Sequence, residues 1–368
     1  MAQTQTIDAL RREVWSKDLM DDVAQDVEET MKFIGDGPNN VIQRSRELAK
    51  GKGDTQTFGL VTRLTGDGVT GDDELEGHEE AMNSYAEQVS IDQLRHGVRL
   101  KGKLDAQKVQ YSQIEKAREL LRIWLAEQQA RIIMNKLGGV TNTTLVDVNG
   151  RSVGGRALWS NTPDFIPDAD TAAGVGSRYL SAYAGSAASM GAGDKMTLDL
   201  VTRLATKARL TNPRIQPLKI GKDKMYVLFL HPLQVRDIKL SSDWKTANQN
   251  ARERAASNPV FTGVLGEWDN VLLVENEFVP WLDVSEAGNS FRGAATGTNF
   301  AVDTARALLC GRQACLMAEA SNSDALEVER FDYGNKDGVA ISLIGGIQKA
   351  MFNSLEFGVI ACDTAAAV

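Results

Sequence analysis

Histidine and cysteine are scarce in this 368-residue chain, and that scarcity removes several chemistries at once. The three histidines, His78, His96 and His231, fall at no ligand spacing such as H-E-x-x-H, so the sequence offers no metal site. The three cysteines, Cys310, Cys315 and Cys362, contain no C-x-x-C pair. Their odd number in a reducing compartment argues against a disulfide framework and for buried small apolar residues. No apolar run approaches the roughly 20 residues of a membrane helix. The start, Met-Ala-Gln-Thr-Gln-Thr, lacks the basic and apolar regions of a signal peptide, so a cytoplasmic protein is expected. A phosphate loop is missing too: Gly221-Lys222 lacks the glycine five residues earlier that G-x-x-x-x-G-K requires.

What is present is the composition of a globular protein, 42% apolar and 24% charged, in a chain long enough for two or three packed units. The net charge of −8 sets it against phosphate, whereas DNA readers gain by releasing counterions. That balance suits a container that must not stick to nucleic acid better than a protein that reads it.

The most informative stretch runs from Asp54 to Leu137. Thr57 to Thr65 alternates with Phe58, Leu60 and Leu64 on one face, and Tyr85 to Leu94 alternates with Tyr85, Val89 and Ile91 on one face. Between them lies a glycine-punctuated acidic tip, Gly66 to Gly77, containing Asp72, Asp73 and Glu74. An isolated two-stranded ribbon is marginal in water, so this one needs a surface to lie on, and a second copy of the chain is the economical candidate. A single helix of about 34 residues, Leu104 to Leu137, follows; it would be ~50 Å long, a spine rather than a compact-domain helix. Its stripe is Ile114, Ala117, Leu121, Trp124 and Leu125, extended by Ile132.

Before the ribbon, Asp22 to Ile34 has an amphipathic helical pattern and Trp15 stands in polar context, so residues 1–52 read as an arm. Residues 140–193 lack periodicity and read as a long loop or surface insertion. Thr197 caps a helix through Leu210, Met225–Leu230 is a buried strand, and His231-Pro232 opens a short helix through Leu240. Asp243 to Ala256 reads as another helix, Val271–Val274 and Ala305–Cys310 as strands, and Arg312–Ala320 as a helix. Three short strands close the chain at Val339–Ile344, Ile347–Phe352 and Phe357–Asp363. The pattern is mixed α+β without a βαβ repeat, so neither a Rossmann fold nor a barrel is expected.

These residues resemble a known family. Trp15-Ser-Lys17, Gly53 to Phe58, Leu64 to Gly77, Val89-Ser-Ile-Asp92, Tyr226 to Pro232, Asn258 to Gly266, Leu309 to Ala314 and Phe331-Asp-Tyr-Gly334 follow in the order seen in tailed-phage major capsid proteins of the Hong Kong 97 type. The resemblance spans nearly the whole chain except residues 140–193. It implies an α+β Hong Kong 97-type capsid fold with an N-terminal arm (1–52) and an extended two-stranded loop (53–100). A peripheral domain (101–193 and 326–353, with spine helix 104–137) and an axial domain (194–325 and 354–368) would complete it. It implies a protein that assembles with itself into pentamers and hexamers of an icosahedral head around double-stranded DNA, made in a bacterial host cytoplasm and resident in the virion. A portal, a scaffolding protein and a decoration protein are the implied partners, the separate scaffold because no long N-terminal helical segment is present. No cofactor is implied. The inter-subunit residues it points to are those of the extended loop (Phe58, Leu60, Leu64, Asp72, Asp73, Glu74, Tyr85, Val89, Ile91) and of the arm and loop base (Trp15, Arg95, Arg99, Lys101). An encapsulin-like compartment shell of the same fold is the alternative use.

An enzyme reading competes only through Gly150-Arg-Ser152-Val-Gly154, which formally satisfies G-x-S-x-G. Arg156 to Pro163 after it is no helix, and His231 is the one histidine downstream, so a glycine-rich turn is preferred over a serine hydrolase. The acidic tip fails the EF-hand ligand order, and a solvated tip, or one that meets basic groups on a neighbour, is favoured. Arg95, Arg99, Lys101 and Lys103 form the basic cluster it could meet.

Overall fold

Strands that are apolar on both sides, such as Tyr226–Leu230, need a sheet covered on both faces, and the fold is built around one. The computed structural model describes residues 33–49, 53–61, 64, 66, 68–71, 75–76, 78–82, 84–108, 112–139, 178–182, 190–211, 213–221, 223–246, 266–282, 302–320, 326–352 and 355–367. In chain order the elements are β1 (Ile34–Gly35), β2 (Ile42–Ser45), β3 (Thr55–Val61), β4 (Ser84–Ser90), β5 (Asp92–Arg99), α1 (Lys103–Lys108) and α2 (Gln113–Gly138). There follow β6 (Tyr179–Ser181), α3 (Leu198–Leu210), β7 (Leu218–Ile220), β8 (Asp223–Leu230), α4 (Pro232–Leu240), β9 (Gly266–Trp268), β10 (Val271–Glu275) and β11 (Trp281–Leu282). The last are β12 (Thr304–Cys310), β13 (Cys315–Ala320), β14 (Leu326–Phe331), β15 (Lys336–Lys349), β16 (Met351–Phe352), β17 (Leu355–Glu356) and β18 (Val359–Ala365).

An eight-stranded sheet runs β6-β18-β12-β8-β10-β9, with β11 on β12 and β7 on β8. Period-2 alternation divides its side chains between two cores. Leu228, Leu230, Leu309, Ile360 and Cys362 face α3 and α4. Val227, Phe229, Leu308, Cys310 and Ala361 face the other way, into a core shared with α2. A six-stranded sheet runs β1-β2-β13-β15-β14, with β5 along the other edge of β15. Val339, Ile341, Leu343 and Ile347 of β15 join that same core. The spine helix α2 therefore packs on both sheets, and from Gln128 to Gly138 it is buried on nearly every side, Gln128, Gln129, Arg131 and Asn135 included.

The end of α2 is fastened to the eight-stranded sheet. Arg306 of β12 donates from Nε and Nη2 to the two carboxylate oxygens of Asp363 on β18, both at 2.7 Å. Its Nη1 donates to the Gly138 carbonyl at 3.0 Å, and the Tyr179 hydroxyl donates to Asp363 Oδ2 at 2.8 Å. Gly139 supplies the left-handed residue (φ 66°) that ends α2, so the orphan carbonyl of Gly138 meets a cation where the helix dipole favours one. Burial alone would lower the Arg306 guanidinium, but Asp363 outweighs it and holds its pKa above the ordinary value.

Several sequence expectations change. The 34-residue helix is two helices: Ser112 accepts from Glu115 N and starts α2 anew, leaving α2 about 39 Å long. The expected helix at Arg312–Ala320 is strand β13, because Gln313 turns left-handed (φ 53°), residues 315–320 pair with β15 and residues 315–318 pair with β2 as well. Val339–Ile344 and the start of Ile347–Phe352 are one strand running through Gly345-Gly346. β14 comes from a stretch to which no strand was assigned. Tyr85–Leu94 is divided at Ile91 into β4 and β5. Within the expected loop 140–193, Tyr179–Ser181 is a strand paired in parallel with β18. Ile34, the end of the expected arm helix, is in β1, and the rest of that helix lies outside the described residues. The α3 helix with its Thr197 cap, β8, α4, β10 and β12 lie where the sequence places them. Residues 242–246 are helical, the described part of the helix expected from Asp243.

Candidate functional site

The ribbon is β3 and β4, antiparallel, with Leu60 opposite Tyr85 and Phe58 opposite Glu87. Its root lies on its own subunit: Phe58 and Val89 are buried against Leu316, Ala318, Ala350 and Phe352, with Leu60, Tyr85 and Ile91 partly buried beside them. Phe58 and Val89 are thus spent inside the subunit, and their side chains are not offered to a neighbour, contrary to the sequence expectation. The reason is visible at Gly346 of β15, where a Cβ would lie 2.1 Å from the Ser90 carbonyl oxygen and 2.9 Å from Val89. Only glycine lets the root sit so close. Gln348 also donates to Glu87 there, and burial raises that carboxyl above its ordinary pKa.

Beyond the root the ribbon has no such support. Val61, Leu64, Leu75 and Met82 are 58, 65, 59 and 71% exposed. The tip is closed by a 2.6 Å hydrogen bond from Gly66 N to Glu80 Oε2. Asp72, Asp73, Glu74 and, in the arm, Trp15 lie outside the described residues, as does Ser152.

At the base, β5 pairs with β15 over eight residues, Asp92 to Arg99. Arg95 lies 3.9 Å from Glu327, and the Arg99 guanidinium stacks over Phe331, 4.3 Å from the ring centre. Lys101 follows, exposed. His96 lies tilted against Trp124 of α2, with ring centres 4.4 Å apart. The basic residues therefore ring the foot of the ribbon and are partly engaged with β14. Among the features not assigned a contact role from sequence are Val61, Leu75 and Met82. The signal was their apolar character inside a polar segment, which alternation does not capture.

Among the described residues, the histidine and cysteines that a catalytic reading would draw on have structural places. His231 is a helix cap: its Nδ1 accepts from Leu233 N at 3.3 Å, it stacks on Trp281, and burial pushes its pKa down to about 4. Cys310, Cys315 and Cys362 are free and buried, and burial pushes all three thiols up. Among the described residues no group of three His, Cys, Asp or Glu side chains could hold a metal ion, and no helix is long and apolar enough to cross a membrane. The surfaces left to act are extended, apolar and outward.

Comparison with known proteins agrees with that geometry. The major capsid protein of Pseudomonas phage KPP25 is 29% identical over 355 residues, covering 89% of this chain and 88% of that one. The capsid of Ralstonia phage GP4 superposes with a TM-score of 0.76 at 27% identity, covering 93% of this chain and 91% of that one. The Cyanophage Pam1 capsid does so at 0.69 and 24% identity, covering 91% of each. The α+β architecture is thus that of the Hong Kong 97-type capsids, and the profile of one family, described as phage capsid protein, matches residues 3–368. A chain whose exposed ribbon, spine and paired sheets match those shells along nearly its full length is a structural protein and not an enzyme, and it belongs to the phage capsid protein family.

Proposed function

We propose that this major capsid protein closes its shell by laying the outer ribbon and the N-terminal arm on neighbouring copies within pentamers and hexamers. The observation that carries the reading is the set of exposed apolar side chains Val61, Leu64, Leu75 and Met82 at and beyond the end of the two-stranded ribbon. Leu60, Tyr85 and Ile91 add partly buried apolar surface nearer the root, and the carboxylates Asp72, Asp73 and Glu74 at the tip meet Arg95, Arg99 and Lys101 of a neighbour. Trp15 anchors the arm. The six-stranded sheet with α1 and α2 acts as the peripheral domain and the eight-stranded sheet with α3 and α4 as the axial domain. Many modest contacts of this kind, repeated by one chain, accumulate through multivalency. The shell encloses double-stranded DNA without reading it, in keeping with a net charge of −8. It is assembled in the bacterial cytoplasm with a separate scaffolding protein and a portal, and a decoration protein can be added outside.

Electron microscopy and size-exclusion chromatography of the chain, alone and with a candidate scaffold, test this. Wild type is expected to give capsomers or shells. Leu64→Asp with Met82→Asp should leave a folded, unassembled subunit, and Arg99→Glu with Lys101→Glu should weaken assembly by a smaller amount. Normal shells from both variants would sink the ribbon reading. Native particles filled with protein and free of nucleic acid would turn the function toward an encapsulin-like compartment.

A further inference from the structure

The tip of the β14–β15 hairpin carries a wholly exposed aromatic, Tyr333. Asp332, Tyr333 and Gly334 follow one another at φ 55°, 50° and 80°. That left-handed backbone suits glycine and strains a bulky side chain. The hairpin is nonetheless firmly braced. Lys336 Nζ lies 3.6 Å from Asp332 Oδ2, Arg330 Nε lies 3.6 Å from Asp337 Oδ1, and Lys103 N donates to the Asn335 carbonyl at 3.1 Å. An aromatic held out in water on strained backbone works against its own subunit, and observed strain of this kind marks functional positions.

Beside this knob is a hollow of about 190 Å³, open on one side, between α1, the start of α2 and the turn end of the hairpin. Leu100, Ala106, Gln113, Ile114, Asn335 and Asp337 line it, and the neighbouring Leu104 of α1 is exposed. Cavities on the order of 150 Å³ accommodate benzene. One buried acceptor among the lining residues, Gln113 Oε1, accepts no hydrogen bond from the described residues, while Asp337 Oδ1 faces the Arg330 guanidinium. The Gln113 Nε2 is engaged with Asp105 Oδ2 at 3.4 Å, which assigns the free atom as the oxygen. The hollow therefore calls for a flat apolar body that ends in an O–H donor. A phenol has that chemistry.

We propose that Tyr333 of one copy seats in this hollow on the next copy, with its hydroxyl donating to Gln113 Oε1. The inference rests on the shell-forming reading above. Knob and hollow are different patches, so the contact is head-to-tail. Where the rotation between successive copies closes, such a contact makes a ring.

Cysteine pairing tests the contact directly, because the native thiols are buried. A chain with Tyr333→Cys co-assembled with a chain carrying Ala106→Cys should give an oxidised dimer on a non-reducing gel. The double variant should give a ladder whose largest band counts the copies in the ring. Tyr333→Ala should weaken capsomer association on the order of thirtyfold, and Tyr333→Phe on the order of fivefold for the lost hydrogen bond. Tyr333→Gly relieves the backbone, so it should impair assembly while the melting temperature of the unassembled subunit does not fall. Wild-type shells without any cross-link between the paired cysteines, a double variant oxidised only at monomer mass, or Tyr333→Ala shells formed as well as wild type would each overturn the proposal and leave the ribbon reading standing. A wild-type chain that never assembles removes both.

Discussion

The joint at Arg306 and the outer ribbon sit at opposite ends of one design. At the joint, a guanidinium, a carboxylate, a phenol and a helix-end carbonyl are fully buried, and each finds its partners within one subunit. On the ribbon, four large apolar residues stand in solvent, one at the end of the two-stranded ladder and three beyond it. The difference teaches where this chain keeps its stability and where it keeps its capacity to bind. The joint is over-determined within the subunit; on the function proposed above, the ribbon is completed by a neighbour.

The largest way to break that contrast is Arg306→Ala. It leaves Asp363 buried without its cation and should cost the subunit about 3–5 kcal/mol in denaturant unfolding. Arg306→Met with Asp363→Leu should recover most of that loss, since a buried ion pair is often replaceable by apolar residues. A double variant as unstable as the single one would mean that the Gly138 and Tyr179 contacts, not the pair, hold the joint. His231 gives the next effect. Its folded pKa of about 4 lies below the unfolded value of 6.5, so the unfolded chain binds the extra proton. Stability should be complete above pH 6.5 and fall as pH drops toward 4, by up to about 3 kcal/mol. His231→Asn keeps a cap without the titration and should flatten this acid limb when melting is followed from about pH 7 to about pH 4.5. The smallest effect sharpens the comparison at its border. Gly346→Ala drives a methyl into the Ser90 carbonyl and should cost about 1–3 kcal/mol. It should also speed protease cleavage in the ribbon while the eight-stranded sheet stays protected from hydrogen exchange.

The parts that were legible in the sequence are those with local signals. Thr197 before α3 and His231-Pro232 before α4 mark caps, and the apolar run of β8 marks a doubly covered strand. The break in the spine was written there too, as Ser112-Gln-Ile-Glu115, the pattern of a capping box, but a continuous apolar stripe masked it. Residues 312–320 consist largely of good helix formers. Their strand conformation is imposed by β2 and β15, partners distant in sequence that no local pattern reveals. The same holds for the ribbon: its alternation was visible, but whether Phe58 and Val89 face a neighbour or their own subunit depends on Gly346, far along the chain. At Tyr333 the sequence shows only a turn; its exposure and strain are properties of three dimensions.

The pairing of β5 with β15 has a mechanical consequence. β4 runs into β5 with only Ile91 between them, so a pull along the ribbon is delivered along the axis of β5. Eight antiparallel residue pairs, Asp92–Gly345 through Arg99–Gly338, lie across that line of force. Their hydrogen bonds run perpendicular to the strands, so they resist together in shear instead of opening one by one like a zipper. Tension applied to the ribbon is thereby spread over the whole ladder and passed to the centre of the six-stranded sheet.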